Sequence, residues 1–297
     1  MKILQNLEQS YCLIDDFVKL IEKNMLFKSI ENRGRKSVLS ISELITLGIL
    51  RIDLKIESIK DFHLFIKKCC LKEFPRLPSY QQFCEGLTKV SSYILIILQI
   101  FMNLHKQNSD GSFIIDSVAI PVCSSILRKS RVKRDGGFGK VGKNMNGFYF
   151  GFKIHAIINQ HMQYVSLRIT PANQSDLSVL DENFLKGIYG MLIGDKGYIS
   201  SEKTADLKKM GINLITKPRK NMKKLPIDKK AAKAISKRYK IETSFSLLKQ
   251  QFLLISRFAR SFRSFLSQII FSIVTYSMQK VNFNAFQCST SSIAFIS

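Results

Sequence analysis

Three acidic residues, far apart along the chain, stand where carboxylates could cooperate in metal chemistry. Asp116 and Asp195 each follow an apolar run of strand-like sequence, and Glu242 lies in a stretch with helical spacing. Carboxylates at the C-terminal ends of two apolar strands are costly unless a cation binds them, and hard divalent cations prefer oxygen ligands. The three residues therefore predict a divalent metal site.

Such a trio suits the cutting of a phosphodiester bond. Charge builds up on the attacking and leaving oxygens during this reaction. Two metal ions about 3.5–4 Å apart can activate water or a 3′-hydroxyl and stabilise the leaving group. Asp116 and Asp195 could meet if their strands are neighbours in a sheet, and Glu242 would close the site from a helix packed over it.

The residues around Glu242 carry a second signal. Arg238, Glu242, Phe245 and Lys249 follow the spacing i, i+4, i+7 and i+11, which is one face of a helix. A carboxylate flanked by Arg238 and Lys249 suits an anionic backbone lying along that face, so both are candidate DNA contacts. The alternative is an ordinary surface pair of Arg238 and Glu242, worth only about 0.2–0.5 kcal/mol.

The composition points to a polyanionic partner. The 297 residues include 46 Lys and Arg against 22 Asp and Glu, which gives a net charge of +24. Nucleic acid is the default partner, because binding phosphates releases condensed counterions. The charge is clustered: residues 128–143 include the candidate contacts Lys140 and Lys143, and residues 217–240 include Arg219 and Lys220. A ribosome-like or membrane-surface protein is the alternative that charge alone leaves open.

Cysteines and hydropathy narrow the class further. The six cysteines form no CxxC pair and have no histidine at metal-ligand spacing, so we expect no structural zinc. No signal peptide is evident, and free thiols in a reducing cytoplasm are expected. The apolar stretch from Phe265 to Met278 is too short and too polar for a membrane span and is predicted to be a core helix.

The first hundred or so residues are predicted to be helical. Ser40 with Glu43, and Ser79 with Gln82, have the spacing of helix-start capping residues. Apolar positions recur at helical period after Ser40, and the run 93–104 is apolar enough to be largely buried. These helices could form a DNA reader of the helix-turn-helix kind or a plain helical bundle, and the sequence leaves both open.

After a turn cluster at 108–111 the pattern changes to short strands and helices. An α/β fold with a mixed sheet follows from three successive strands and then alternating helix and strand. The predicted strands are 113–118, 147–158, 162–170, 191–195 and 212–216. The predicted helices are 177–186, 201–210 and a long one that begins near 228 and passes through Glu242.

At this point the motifs resemble a known family. The chain is similar to DDE transposases with a ribonuclease H-like catalytic core, most of all to the IS982 family of insertion sequences. Asp116 in Phe-Ile-Ile-Asp-Ser, Asp195 in Gly-Asp-Lys-Gly-Tyr, and Glu242 between Arg238 and Lys249 resemble the family's three catalytic acids. The resemblance covers roughly residues 110–280. One departure is Ile235, at a position where related families often carry a tyrosine.

The resemblance implies a ribonuclease H-like mixed sheet flanked by helices, preceded by an all-helical region. The expected domains are an end-binding region (1–107), a catalytic domain (108–283) and a C-terminal tail (284–297). The expected activity is cleavage of element ends and joining of the 3′-hydroxyl to target DNA, with two Mg²⁺ (or Mn²⁺) ions. The resemblance also implies a homodimer that binds the element ends and target DNA and does not bind a membrane. It implies a bacterial, cytoplasmic, nucleoid-associated location. A nuclease without strand transfer and an inactive DNA-binding derivative are the alternatives.

Several weaker signals are interpreted structurally. Gly137, Gly142 and Lys143 imitate a phosphate-binding loop, but Asn144 stands where that loop needs Ser or Thr. Lys153 and His155 share a strand-like run and are candidate DNA contacts, with a structural histidine as the alternative for His155. Asp176 is predicted to cap the start of a helix, with an accessory carboxylate of the site as the alternative.

Overall fold

The computed structural model describes residues 7–24, 37–123, 139–145, 147–217, 229–255 and 261–280. The chain divides into two compact units, which we call the helical unit (Met1–Gln99 with Leu248–Ser297) and the sheet unit (Ile100–Leu247). The helices are α1 (Leu7–Asn24), α2 (Ile41–Asp53), α3 (Ile59–Cys69), α4 (Tyr80–Lys89), α5 (Ser91–Gln107), α6 (Glu182–Leu185), α7 (Ser201–Lys209), α8 (Lys229–Ser236), α9 (Tyr239–Gln251) and α10 (Phe262–Lys280). The strands are β1 (Ser112–Cys123), β2 (Lys140–Asn144), β3 (Gly147–Asn159), β4 (Tyr164–Pro171), β5 (Gly190–Gly194) and β6 (Ile212–Thr216).

The predicted capping box at Ser40 and the predicted helix start at Ser79 are both confirmed in the helical unit. The Ser40 hydroxyl accepts a hydrogen bond from the Glu43 backbone N–H at 3.1 Å, and the Glu43 carboxylate accepts one from the Ser40 N–H at 2.6 Å. Ser79 and Gln82 make the same reciprocal pair at the start of α4. Each box satisfies N–H groups that have no partner inside the helix, which fixes where α2 and α4 begin.

Helix α10 is the centre of the helical unit. Its residues from Phe265 to Met278 are buried almost without interruption, so the predicted core helix is confirmed. It packs against α2 and α4, and the Gln268 side chain donates to the Leu253 carbonyl at 2.7 Å and also contacts the buried Arg51 guanidinium. The observed arrangement is a helical bundle around a buried helix; its role in reading DNA ends stays a prediction.

One stretch among the described residues, Tyr80–Gln107, is long and apolar enough to cross a membrane by length and composition alone. It comprises α4 and α5, which meet at a turn at Val90, and part of it is buried inside the protein. One such stretch is a weak indication, since core helices pass the same test.

The sheet unit has the mixed sheet of the ribonuclease H-like fold, as the resemblance implies. Strand β3 pairs antiparallel with β1 on one side and with β4 on the other. Strands β5 and β6 extend the sheet in parallel from β1, so the order is β4-β3-β1-β5-β6. The short strand β2 pairs with the first residues of β3, on the same side as β4. Short helices pack on the sheet: α7 and α8 contact β6, and α6 contacts β4.

Three predicted boundaries were wrong. Strand β1 does not end near Val118 but continues to Cys123, because β3 keeps pairing with it to the end. The predicted helix 177–186 is a 3₁₀ turn (Asp176–Val179) followed by the single-turn helix α6. The long helix through Glu242 is interrupted after α8, where Lys240 and Ile241 donate to the carbonyls of Lys237 and Arg238 three residues back, so a tight turn replaces α-helical bonding.

One face of the sheet is closed by an apolar cluster. It joins β1, β4 and β5 to the short helices, and its members include Phe113, Ile115, Val165, Phe184, Leu192, Tyr198 and Leu207. These side chains alternate along each strand with residues on the opposite face. The cluster therefore holds the carboxyl end of β5 and the turn after it in a fixed position relative to β1.

Two helical glycines in the helical unit allow a matched test of packing. A Cβ at Gly48 of α2 would stand 2.2 Å from the Phe271 ring, whereas one at Gly86 of α4 would meet only the Leu44 methyls, at 3.0 Å. Gly→Ala at either site gains roughly 1 kcal/mol of helix propensity, but overpacking of a buried ring costs roughly 1–3 kcal/mol. We expect Gly48→Ala to lower the free energy of unfolding, measured in urea by circular dichroism, and Gly86→Ala to leave it nearly unchanged. Equal effects of the two substitutions would contradict this packing.

Candidate functional site

Asp116 and Asp195 are brought together by the sheet. The parallel pairing of β1 with β5 runs from Ser112 opposite Met191 to Ile114 opposite Ile193. Continuing that register by two residues sets Asp116 opposite Asp195, the first residue after β5. Asp195 therefore follows a strand end as predicted. Asp116 does not: it lies in the middle of β1, because pairing with β3 continues past it, with Asp116 opposite Ala156.

Helix α9 brings the third acid to the same place. One face of α9 is buried and carries Ile241, Ser244 and Phe245; the Ser244 hydroxyl lies 2.5 Å from the hydroxyl of Tyr164 on β4. Lys240 adds a bond from its Nζ to the Gln160 carbonyl at 2.8 Å. With that face buried, Glu242 lies at the exposed edge of the first turn of α9.

The guanidinium of Arg238 joins all three carboxylates. Its Nη1 lies 3.1 Å from Oδ2 of Asp116 and 4.0 Å from Oδ1 of Asp195, and its Nη2 lies 2.5 Å from Oε1 of Glu242. Arg238 itself stands in the turn between α8 and α9. Acids from two strands and one helix thus gather around a single positive group. We call Asp116, Asp195, Glu242 and Arg238 the carboxylate cluster.

The pKa of Asp116 is raised, mainly because its carboxylate is buried. Burial raises the pKa of Asp116 to about 6; the Ser117 backbone N–H and the Arg238 guanidinium lower it, and the carboxylates of Asp195 and Glu242 raise it. Only 19% of the Asp116 side chain is exposed, so water solvates its charge poorly. One guanidinium does not offset the burial and the repulsion, and a further cation would.

The donor atoms of this cluster suit a divalent metal ion, but the present positions of its side chains do not form a metal site. Its donors are carboxylate oxygens, which suit Mg²⁺ or Mn²⁺. Yet among the residues that the structure describes, no group of three or more His, Cys, Asp or Glu side chains is close enough to share a metal ion. The carboxylates instead face Arg238, which occupies the position between them.

Tyr198 explains part of the Asp-x-Gly-Tyr motif. It closes a 3₁₀ turn by donating its backbone N–H to the Asp195 carbonyl at 3.0 Å, and its ring is buried in the apolar cluster. Its hydroxyl is buried with no hydrogen-bond partner among the described atoms, and burial raises its pKa, as do the charges of Asp176, Asp116 and Asp195. The tyrosine therefore fixes the backbone that carries Asp195.

Asp176 has a different role from the predicted one. The helix-capping position is taken by Ser175, without a side-chain bond. The Oδ1 atom of Asp176 instead accepts from the Ser117 hydroxyl at 3.0 Å and from Lys153 Nζ at 3.3 Å, and it lies 3.7 Å from Nδ1 of His155. These are contacts between distant parts of the chain, which local sequence does not reveal.

His155 offers no surface to DNA. It is completely buried, and its Nε2 lies 2.8 Å from the Thr170 hydroxyl. Burial lowers the pKa of His155 to about 4, although Asp176 raises it, so the ring is neutral at physiological pH. The proposed DNA contact is therefore corrected to the structural alternative.

The other candidate DNA contacts have different surroundings. Lys140 and Lys143 are exposed on β2, and Lys249 is exposed near the end of α9, in the part of that helix that belongs to the helical unit. Lys153 is half-buried, and its Nζ also donates to the Gln174 carbonyl at 3.0 Å. Arg219 and Lys220 lie outside the described residues. For all of these, contact with DNA stays a prediction.

Comparisons with known proteins give two matches. A protein-family model described as a transposase DDE domain matches residues 106–261, a range that contains all four members of the carboxylate cluster. Among solved structures, the chain is similar to a piggyBac transposase in a synaptic complex with hairpin DNA. That likeness has 11% sequence identity and a TM-score of 0.49, and it covers 92% of this chain and 73% of the other. No curated protein sequence matches significantly.

The raised pKa of Asp116 predicts that the buried carboxylate lowers the free energy of unfolding at high pH. The folded state holds this proton more tightly than the unfolded chain, where an Asp titrates near about 4. The resulting stability is present below about pH 4 and is lost as pH rises through about 6. Asp116→Asn should therefore raise the free energy of unfolding by roughly 1–2 kcal/mol at pH 8, and by little at pH 4.

Urea unfolding in the presence of EDTA measures this effect without metal. Asp206→Asn is the control, because Asp206 is an exposed residue of α7 whose ion pair with Lys209 is also exposed. An Asp116→Asn variant that is equally or less stable than the wild type at pH 8 would contradict the charge imbalance.

Proposed function

Because a transposase DDE model matches more than half of its length, this chain belongs to the family of DDE transposases, and we propose that it cuts the ends of an insertion sequence and joins the 3′-hydroxyl to target DNA. The observation that carries the proposal is the carboxylate cluster. Asp116, Asp195 and Glu242, from three separate elements, lie within 4.0 Å of one guanidinium. Acids so gathered in a chain of net charge +24 are hard to explain as a binding surface for DNA.

The three acids are the residues that would hold the divalent cation. When bound, Mg²⁺ (or Mn²⁺, with two ions expected) would lower the pKa of an attacking hydroxyl or water and stabilise the charge on the leaving oxygen. Asp116 would remain held by β1 and by the N–H of Ser117, which donates to its Oδ1 at 2.8 Å. Glu242 would remain held by the buried face of α9.

Arg238 has a separate role in this proposal. Its guanidinium keeps the three carboxylates close while no metal is bound, since without it their mutual repulsion would act unopposed. Lys140, Lys143, Lys153 and Lys249 would each bind a phosphate of the DNA, and contact of Arg219 and Lys220 with DNA belongs to the same proposal.

Finer points of identity and assembly belong to the same proposal. The IS982 assignment rests on the motifs around Asp116, Asp195 and Glu242. The resemblance carries three further expectations. The helices before residue 108 read the element ends, the protein acts as a homodimer on paired ends, and it is cytoplasmic and nucleoid-associated.

Substitution of the acids tests the proposal directly. We expect Asp116→Asn, Asp195→Asn and Glu242→Gln each to lower Mg²⁺-dependent cleavage of labelled element ends at least about 100-fold, the scale of a lost catalytic electrostatic contact. Binding of the same DNA in EDTA should change less than about threefold, because each variant removes an acid and no phosphate contact. Asp206→Asn, at an exposed acid outside the cluster, should cleave like the wild type.

The products distinguish the proposal from its alternatives. With labelled ends and a target plasmid, joined product indicates a transposase, whereas cleaved ends without joined product indicate a nuclease of the same core. If the wild type takes up no divalent ion in a calorimetric titration and cleaves nothing, the inactive DNA-binding derivative is correct. Acid variants that lose DNA binding together with cleavage would contradict the metal-ligand role.

A further inference from the structure

The hairpin formed by β2 and β3 extends past the rest of the sheet. Strand β4 pairs with β3 only from Phe152 onward, and the described part of β1 pairs with β3 no further than Phe150. From Gly147 to Gly151, β3 pairs with β2. The far end of this hairpin therefore projects from the described sheet.

The two faces of the hairpin differ. On the inner face, Tyr149 is buried, and a Cβ at its cross-strand partner Gly142 would stand 2.6 Å from the Ala172 carbonyl oxygen, so this face is tightly packed. The outer face carries the alternate residues of both strands. They are two cross-strand pairs, Lys143 with Phe148 and Val141 with Phe150.

The outer face is both aromatic and basic. Phe148 is 59% exposed, and the Nζ of Lys143 lies 5.5 Å from the centre of its ring. Val141 is also exposed on this face, and Met145 is exposed at the turn that follows β2. No acid occurs in the sequence from Gly136 to Gly151. Exposed aromatic rings beside lysines are the combination that binds single-stranded nucleic acid, because bases stack on the rings and phosphates pair with the cations.

We propose that the outer face of this hairpin binds unpaired DNA, with Phe148 stacking on a base and Lys143 contacting the neighbouring phosphate. The proposal deepens the proposed function, because it assigns to the transposase a contact for DNA strands that are separated or distorted. A second copy of the chain is the other occupant that exposed apolar side chains could suggest. Charge disfavours it, since a copy with net charge +24 would approach a face that is itself basic.

The proposed contact is separate from the carboxylate cluster. Along β3, Phe148 lies eight residues before Ala156, which is paired with Asp116. At about 3.3 Å per residue, that distance is about 26 Å. Substitutions in the hairpin therefore leave the carboxylates and their supporting bonds in place, which allows the two sites to be tested independently.

The experiment uses the full chain in EDTA and two fluorescein-labelled probes, an oligo(dT) strand and a duplex of the same length. Fluorescence anisotropy gives the dissociation constants. Phe148→Ala should weaken oligo(dT) binding about tenfold, within the range of one lost base–aromatic stack, and duplex binding less than about twofold. Phe148→Trp should restore oligo(dT) binding. Met210→Ala, at an exposed apolar residue that follows α7, is the matched control and should bind both probes like the wild type.

A second variant tests the cation without disturbing the ring. Lys143→Gln should reduce the slope of log binding constant against log salt on oligo(dT) by about 0.7, the value for one lost phosphate contact on a single strand. This variant keeps the proposal testable if Phe148→Ala fails to fold, which its thermal unfolding would reveal.

Equal oligo(dT) affinity of wild type, Phe148→Ala and Lys143→Gln overturns the proposal. A wild-type dimer that Phe148→Ala dissociates in sedimentation, with oligo(dT) binding unchanged, assigns the face to a second copy.

The experiments distinguish failure of the proposed hairpin contact from failure of the proposed transposase activity. Oligo(dT) binding in EDTA needs neither metal nor cleavage, so a wild type that cuts no DNA still reports on the hairpin. Conversely, Asp116→Asn should bind oligo(dT) like the wild type, because Asp116 is not part of the hairpin. A Phe148→Ala variant that loses oligo(dT) binding but still cleaves duplex ends supports both proposals.

Discussion

Three carboxylates gathered around one guanidinium repel one another, and Arg238 is the group that offsets this repulsion in the sheet unit. Its guanidinium contacts Asp116 and Glu242 directly and lies 4.0 Å from Asp195. The surrounding elements serve this arrangement: the register of β1 and β5 aligns the aspartates, and the Ser244–Tyr164 contact holds α9 over the sheet. Arg238 does not fully compensate the burial of Asp116, whose pKa is raised to about 6. A site with that deficit favours the arrival of positive charge.

Strand alternation divides the polar residues of β1 between two networks. Asp116 belongs to the carboxylate cluster, and its neighbour Ser117 donates to Asp176 on the other face, where Lys153 and the neutral His155 complete a second group. Tyr198 links the two electrostatically, since Asp176, Asp116 and Asp195 all raise the pKa of its hydroxyl. The middle of one strand thus contributes polar residues to both faces of the sheet.

The acids of the site could be predicted from sequence, but their shared cation partner could not. Asp195 with Tyr198, and Glu242 with Arg238, are local patterns within four residues, and the strands near them carry apolar runs that indicate a sheet. The contact of Arg238 with Asp116 crosses 122 residues of chain, and that of Asp176 with Ser117 crosses 59. No local pattern encodes such pairs. The break between α8 and α9 was also missed, because helical periodicity continues through Lys237 and Arg238 although the backbone tightens there.

The division of the chain has a consequence for its synthesis on the ribosome. The helical unit is discontinuous: its first part ends at Gln99 and its second begins at Leu248, with the whole sheet unit encoded between them. Helix α10, which is buried along most of its length, comes from the second part. The early apolar helices therefore lack their packing partner until the residues after Leu248 have been synthesised, and a product that terminates before Leu248 would expose their apolar faces. Chaperone binding during translation and rapid proteolysis of such fragments are the cellular outcomes that this order of assembly favours.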